Sequence, residues 1–211
     1  MDDKFIPILF MGLQQKIYRE LKEWDEYTSY LYGYVLGDGN LQKGRPRFMI
    51  DSKDIDHMEN LSRLIGTRVY YPNNHYGEAR IAVTSTIYYN KMLDWGLVPG
   101  KSKEGCVLNK IPDERNFNHF IRGLFDSDGC LSVRTQRSGF VWLIEGHPSY
   151  MNQFKGRLPF VYQTKLGTNG KNVNFNTENL TELVKIYHWL YDNATIFMNR
   201  KKLRFDKVIS H

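Results

Sequence analysis

Apolar and polar positions along this chain trace one order of elements and then trace it again. Residues 26–37 ("EYTSYLYGYVLG") and 113–127 ("DERNFNHFIRGLFDS") become almost wholly apolar toward their ends, which predicts two helices, each running into an Asp-Gly pair. After each pair comes a polar, basic stretch, "QKGRPR" and then "SVRTQRSG", and then a strand-like run, "RFMI" and then "FVWLI". Helix-like segments follow, "DIDHMENLSRLIG" and "PSYMNQFKGRLP". "RVYYPNNHYGEARIAV" and "FVYQTKLGTNGKNVNFN" read as strand pairs joined by Asn/Gly turns, with Asn169-Gly170 the clearest hairpin signal. A Trp-bearing helix closes each half, in "STIYYNKMLDWG" and "NLTELVKIYHWLYDN".

The order is αββαββα, twice, which predicts an α+β, pseudo-symmetric tandem repeat with halves at 27–108 and 109–211. A chance likeness between common α/β pieces is the alternative. Against it, Gly33, Asp38, Gly39 and Leu41 recur as Gly123, Asp128, Gly129 and Leu131, ahead of the same elements. Residues 1–26 stand outside the repeat. In "LQQKIYRELKEW", Leu13, Ile17, Leu21 and Trp24 share a face, so a lead-in helix packed on the first half is expected. Between the halves, Pro112 stops what precedes it and Asp113 is placed to cap the next helix.

Small residues recur four positions apart in both terminal stretches: Gly33 and Gly37, then Gly123 and Ser127. That spacing puts each pair on one helix face, where a missing side chain lets two backbones approach. A helical glycine costs about 1 kcal/mol against alanine, so the pairs need a packing reason. The expectation is that the two helices pack on each other and form the seam between the halves. Gly39 and Gly129 are expected to end them in the left-handed conformation. Asp38 and Asp128 then sit at helix C-termini, where the dipole disfavours a carboxylate, and close enough to repel each other. A divalent cation reverses that sign. Two carboxylates with room for water and phosphate oxygens suit Mg²⁺. Taken singly, each Asp-Gly is an ordinary turn pair. "DSDG" also brushes against a calcium loop, but the further ligands and the distal Glu are absent.

Composition adds the partner class. The 211 residues carry a net charge of +6 and 14% aromatics, including 14 Tyr. Basic charge favours a polyanion, although ribosome-associated and membrane-surface proteins are basic too. Two unpaired cysteines, Cys106 and Cys130, argue against a zinc site and fit a reducing compartment. "FIPILFMGL" is short and follows Asp2, Asp3 and Lys4, so neither a signal peptide nor a membrane span is expected, and the chain is expected to stay inside its compartment.

"LYGYVLGDG" (31–39) and "IRGLFDSDG" (121–129) resemble the nine-residue motif of the LAGLIDADG homing endonuclease family. The second keeps Gly, Leu, Asp, Asp and Gly. The first departs at Tyr32, where a small residue is usual, and at Leu36, where an acid is common. Two motifs in one chain imply the monomeric form, with two four-stranded antiparallel sheets curved into a saddle over DNA. The resemblance implies a site-specific endonuclease that cuts a long, asymmetric double-stranded target across the minor groove. It implies Asp38 and Asp128 as ligands of Mg²⁺, with Mn²⁺ substituting and Ca²⁺ binding without supporting cleavage. The carbonyls of Gly37 and Ser127 would be secondary ligands.

Around this centre the resemblance implies polar or basic helpers: Ser52 and Lys53 in one half, Glu145 and His147 in the other, and Lys101 and Lys103 opposite Arg200, Lys201 and Lys202. Each of these, taken alone, also reads as a solvated surface group. The saddle's contact residues would be Gln42, Lys43, Arg45, Arg47, Tyr76, Glu78 and Arg80 in the first half. In the second they would be Arg134, Gln136, Arg137, Lys165, Asn169, Lys171, Asn172 and Asn174. Arg and Lys suit guanine, and Gln and Asn suit adenine; an exposed polar sheet face is the plainer alternative. The rival activity is that of an intron maturase, which binds intron RNA on the same scaffold. A third is a DNA-binding regulator that keeps only the saddle.

Overall fold

The computed structural model describes residues 18–72, 77–134, 139–167 and 170–209, and for Arg134 its backbone alone. Each half begins with a capped helix. Asp25 accepts from Thr28 N at 2.7 Å and starts α1 (Glu26–Asp38); Asp113 accepts from Asn116 N at 3.1 Å and starts α5 (Glu114–Asp128). The first half continues through β1 (Gly39–Leu41), β2 (Arg47–Ser52), α2 (Ile55–Ile65), β3 (Val69–Tyr70), β4 (Ala79–Thr84), α3 (Thr86–Asp94) and the short α4 (Lys101–Glu104). The second runs through β5 (Gly129–Arg134), β6 (Gly139–Gly146), α6 (Pro148–Met151), β7 (Gln163–Leu166), β8 (Val173–Thr177), α7 (Leu180–Tyr191) and α8 (Asn199–Ile209).

The described strands form two antiparallel sheets with one topology, β1-β2-β4-β3 and β5-β6-β8-β7. Gly39 pairs with Ile50 in the first sheet and Gly129 with Ile144 in the second, so the repeat extends to the register. Strand alternation divides each sheet's faces. Phe48, Ile50, Ile81 and Val83 point inward and are buried, while Arg47, Met49, Asp51 and Arg80 share the outward face. In the second sheet Trp142, Ile144 and Phe175 are the inward row.

The seam is α1 against α5, and its closeness depends on glycine. A Cβ on Gly33 would stand 1.9 Å from the carbonyl oxygen of Phe120, and one on Gly123 would stand 2.1 Å from that of Tyr30. Both helices are therefore in backbone contact, and α1 is buried on every side from Tyr27 to Leu36.

Three expectations need correction. Gly39 and Gly129 are not left-handed: their φ values are -75° and -86°, and both already lie in the following strand. Glycine is required there because a Cβ would come within 2.4 Å of the Val35 side chain and 2.2 Å of the Phe125 ring. Residues 18–25 are not helical. They run along the first half, where Arg19 N donates to Ile65 O at 3.0 Å and Arg19 O and Leu21 O accept from Tyr88 and Lys91. Leu21 is buried and Trp24 packs on Tyr32 and Trp95, so the apolar spacing reports burial without a helix. The "PSYMNQFKGRLP" helix is short: α6 passes into a 3₁₀ turn at Asn152–Phe154, and the chain bends at Gly156 with φ 74°. The rest of the lead-in segment, residues 1–17, lies outside the described residues.

Candidate active site

α1 and α5 both end at the same place. A Cβ on Gly37 would stand 1.9 Å from Ser127 Oγ and 3.0 Å from Asp128 Oδ2, so the carboxylate of α5 reaches the end of α1. Asp38 and Asp128 open into one cleft of about 800 Å³, lined also by Lys101, Lys103, Glu145 and His147. Both carboxyl groups are reachable by water, yet the surrounding protein displaces enough of it to favour their neutral forms. Asp38 is pushed up to about 6 by this desolvation and by the charge of Asp128, against the pull of Lys201 and Lys101. Asp128 is also raised, by burial first and by Glu145. Among the described residues, neither acid gains a hydrogen bond that would stabilise its charge.

That donor set fits a hard divalent cation. Two carboxylates that open into the cleft leave room for the waters that Mg²⁺ retains. No cluster of three or more His, Cys, Asp or Glu side chains with metal-holding geometry occurs among the described residues, so the pair stands alone. The two backbone carbonyls expected as secondary ligands are already engaged. Lys101 Nζ donates to Gly37 O at 2.7 Å. Lys201 Nζ donates to Phe125 O at 2.5 Å and Gly129 O at 2.7 Å, and reaches Ser127 O at 3.3 Å. A carbonyl oxygen has a second lone pair, so this shares the ligand and does not remove it.

The two lysines are each 5% exposed and occupy matching positions beneath the two helix ends. A cation there complements the C-terminal dipole. Burial lowers Lys101 from its ordinary value and brings Lys201 down to about 8. Lys103 is exposed on the rim of the cleft. His147 caps α6, its Nδ1 accepting from Ser149 N at 3.2 Å, which puts the proton of the neutral ring on Nε2. Glu145 accepts from Asn172 at 3.0 Å.

Four expected helpers, Arg200, Lys53, Lys202 and Ser52, do not line this cleft. Arg200 is held by Asp54 through Nε at 2.8 Å and Nη2 at 2.7 Å, and it lines a neighbouring depression with the exposed Lys53 and the buried His57. Lys202 turns away to Tyr187 and Asp206. Ser52 is also turned away, its Oγ accepting from Asp54 N at 3.2 Å.

On the outward sheet faces, Lys43 and Arg45 are exposed, Gln42 is half-buried, and Arg47 donates to Thr84 Oγ1 at 3.1 Å. Arg80 is on the inner strand β4 with Glu78 just before that strand, and Lys165 and Lys171 are exposed. Asn174 is on the outward face but only 7% exposed, so it is covered, contrary to expectation. Tyr76, Gln136, Arg137, Asn169 and the side chain of Arg134 lie outside the described residues.

The sequence reading passed over a buried polar layer beneath the cleft. Tyr30 donates to Asp126 Oδ2 at 2.7 Å and contacts His57 Nε2 at 3.0 Å, and Met198 N donates to the same carboxylate oxygen at 2.8 Å. Asp126 thereby ties the seam to the start of α8, which carries Lys201. Arg122, fully buried, pairs with Glu26 at 2.7 Å. A charged residue inside an apolar helix was the available signal, because such a charge needs a partner.

No family model matches the sequence, and no curated protein matches it. Solved structures do. The chain is similar to the I-LtrWI LAGLIDADG homing endonuclease bound to target DNA, at 12% identity and TM-score 0.57, over 88% of this chain and 91% of that one. The chain has the LAGLIDADG fold. The same fold relates it to I-DmoI homing endonuclease variants, at 15% identity and TM-score 0.56 over 86% and 97%. It also relates it to full-length DUF199/WhiA from Thermatoga maritima, at 15% identity and TM-score 0.54 over 88% of this chain and 60% of that one. α1 and α5 are therefore LAGLIDADG helices, and the cleft lies where they end.

Proposed function

We propose that this chain is a site-specific DNA endonuclease that hydrolyses phosphodiester bonds at the ends of its two LAGLIDADG helices. One observation carries the reading: Asp38 and Asp128, from opposite halves, open into one cleft, with no hydrogen bond from the described residues to stabilise their charges. Stability alone would not gather two acids at two helix C-termini. The partner is double-stranded DNA, lying across the outward faces of both sheets. The similar structures bound to DNA, I-LtrWI and I-AabMI, support this partner.

Asp38 and Asp128 would hold Mg²⁺, or Mn²⁺ in its place, with the Gly37 and Ser127 carbonyls contributing. A divalent cation bound there supplies charge neutralisation at the scissile phosphate and a lowered pKa for the attacking water. The protein does the rest. Lys101 and Lys201 are fixed by carbonyls beneath the site and hold positive charge where the phosphorane charge develops. His147 offers its Nε2 proton to the cleft, and Glu145 and Lys103 set the charge of the rim. The two halves differ in sequence, so the target is asymmetric.

The test is incubation with a randomised duplex library in Mg²⁺, followed by sequencing of cut ends and of bound, uncut DNA. The expected outcome is one long sequence cut on both strands, leaving 3′ overhangs. Bound sequence without cut ends in Mg²⁺ and in Mn²⁺ would reduce the role to binding.

A further inference from the structure

The outward face of the first sheet carries an arginine that is already aimed. Arg80 on β4 is the ladder partner of Asp51 on β2. Its Nε donates to Asp51 Oδ1 at 2.6 Å and its Nη2 to Oδ2 at 3.0 Å. Tyr70 on β3 is the ladder partner of Arg80 on the other side, and 51% of it is exposed. A row Asp51–Arg80–Tyr70 thus crosses the face.

An exposed pair of this kind contributes little to stability. The side chains of Arg80 and Asp51 are 29% and 40% exposed. The grip has a different consequence. It engages two of the five guanidinium N–H donors, along the Nε edge. The far edge, formed by Nη1 and the second Nη2 proton, has the fork geometry that matches O6 and N7 of guanine in the major groove. A carboxylate that fixes the near edge removes rotamer freedom before any ligand arrives.

The register locates this row. Gly39 follows Asp38 and pairs with Ile50, and Asp51 is the next residue along β2. The row therefore lies at the end of the sheet that adjoins the cleft, away from the β1–β2 connection. In the second half Gly129 pairs with Ile144, so the equivalent row is Glu145, Asn174 and Lys165. There the arginine is replaced by a covered amide. Asn174 accepts from Asn176 at 2.8 Å, and Glu145 is engaged by Asn172.

We infer that Arg80, positioned by Asp51, reads a guanine in the major groove beside the central base pairs on one side of the target, and that the other side has no positioned arginine in the equivalent row. This rests on the proposal that the sheets bind DNA. Asp51 is a positioning residue in this scheme. Arg80 is the contact.

The experiment selects bound duplexes from a randomised library with the full chain and with Arg80→Gln and Asp51→Asn, after confirming that both variants unfold at the wild-type temperature. The wild type is expected to enrich guanine at one inner position of one half-site. Arg80→Gln is expected to lose it or shift it to adenine, with other positions unchanged, because Gln suits adenine. Asp51→Asn is expected to keep guanine but to weaken its discrimination roughly tenfold, out of the order of 10–100-fold that a bidentate contact supplies. A target whose inner guanine survives Arg80→Gln overturns the inference and leaves the DNA-binding reading standing. A loss of affinity in Asp51→Asn that is equal for all sequences overturns the positioning role. Failure of the wild type to bind or enrich any duplex overturns both.

Discussion

Lys101 Nζ donates to the carbonyl oxygen of Gly37 at 2.7 Å, one residue before Asp38. Lys201 reaches the matching carbonyl, Ser127 O, at 3.3 Å under the other LAGLIDADG helix, and both lysines are buried. In the proposed reaction each serves one strand. Lys101→Met and Lys201→Met should each slow cleavage by roughly 10²-fold or more, the usual effect of removing one preorganised charge. Because each variant retains one intact half, a supercoiled plasmid carrying the target should accumulate as nicked circles. Equal loss of both cuts, with no nicked species, would count against separate roles.

Asp38 carries a stability cost of its own. Its folded-state value is raised from 3.8 to about 6. A raised carboxyl group contributes its full stability below 3.8 and loses it as pH rises through about 6. Metal-free Asp38→Asn should therefore be more stable than wild type at pH 7.5, by about 1 kcal/mol once solvent screening is allowed for. The gap should close near pH 4, where wild-type Asp38 is protonated as well. Thermal unfolding in a chelator at the two pH values measures this, and a gap that is the same at both would contradict it.

The seam tolerates no side chain at its crossing. Gly33→Ala would put a Cβ 1.9 Å from Phe120 O, and Gly123→Ala one 2.1 Å from Tyr30 O. In both, the obstacle is backbone, which cannot rotate away. Each should cost at least about 2 kcal/mol, in the range of core overpacking, and separate the two acids. Denaturant unfolding should show the loss. Gly44→Ala, at a turn where a Cβ meets nothing within 4 Å but φ is 74°, should cost only the ~1 kcal/mol of left-handed backbone strain and leave the seam intact.

Glu26 accepts from Arg122 Nη2, Thr195 N and Thr195 Oγ1, each at 2.7 Å, and from Ile196 N at 3.0 Å. Arg122 has no solvent exposure. Glu26→Ala would leave that charge buried and unpaired, so a loss of about 3–5 kcal/mol is expected in equilibrium unfolding. A loss under 1 kcal/mol would show that Leu190 O, Ile196 O and His119 alone satisfy the guanidinium.

Much of the frame was legible because the chain repeats. Two apolar stretches with small residues four positions apart could be satisfied only by packing on each other, and the strand alternation fixed which face of each sheet is polar. Local signals were less decisive. The spacing of Leu21 and Trp24 matched a helix, but two buried positions do not specify how the backbone between them runs. Gly39 and Gly129 looked like left-handed caps; the constraint on them is contact with the residue four before, which composition does not reveal. α8 was legible only as the basic "NRKK". The site divided similarly. Asp38 and Asp128 followed from the motif, whereas the difference between Lys201 and Arg200 did not. Adjacent cations on a helix point to different faces, so one meets three carbonyls at the end of α5 and the start of β5 while the other meets Asp54. Asp126 and Asp51 were invisible because their roles depend on partners far away in sequence.

The most direct measurement compares cleavage and binding of a selected target by the wild type, Asp38→Asn and Asp128→Asn in Mg²⁺. The wild type should cut both strands, while each variant binds as tightly and cuts neither at a detectable rate. Cleavage by either variant at the wild-type rate would show that the paired acids at the helix ends are not where the chemistry occurs.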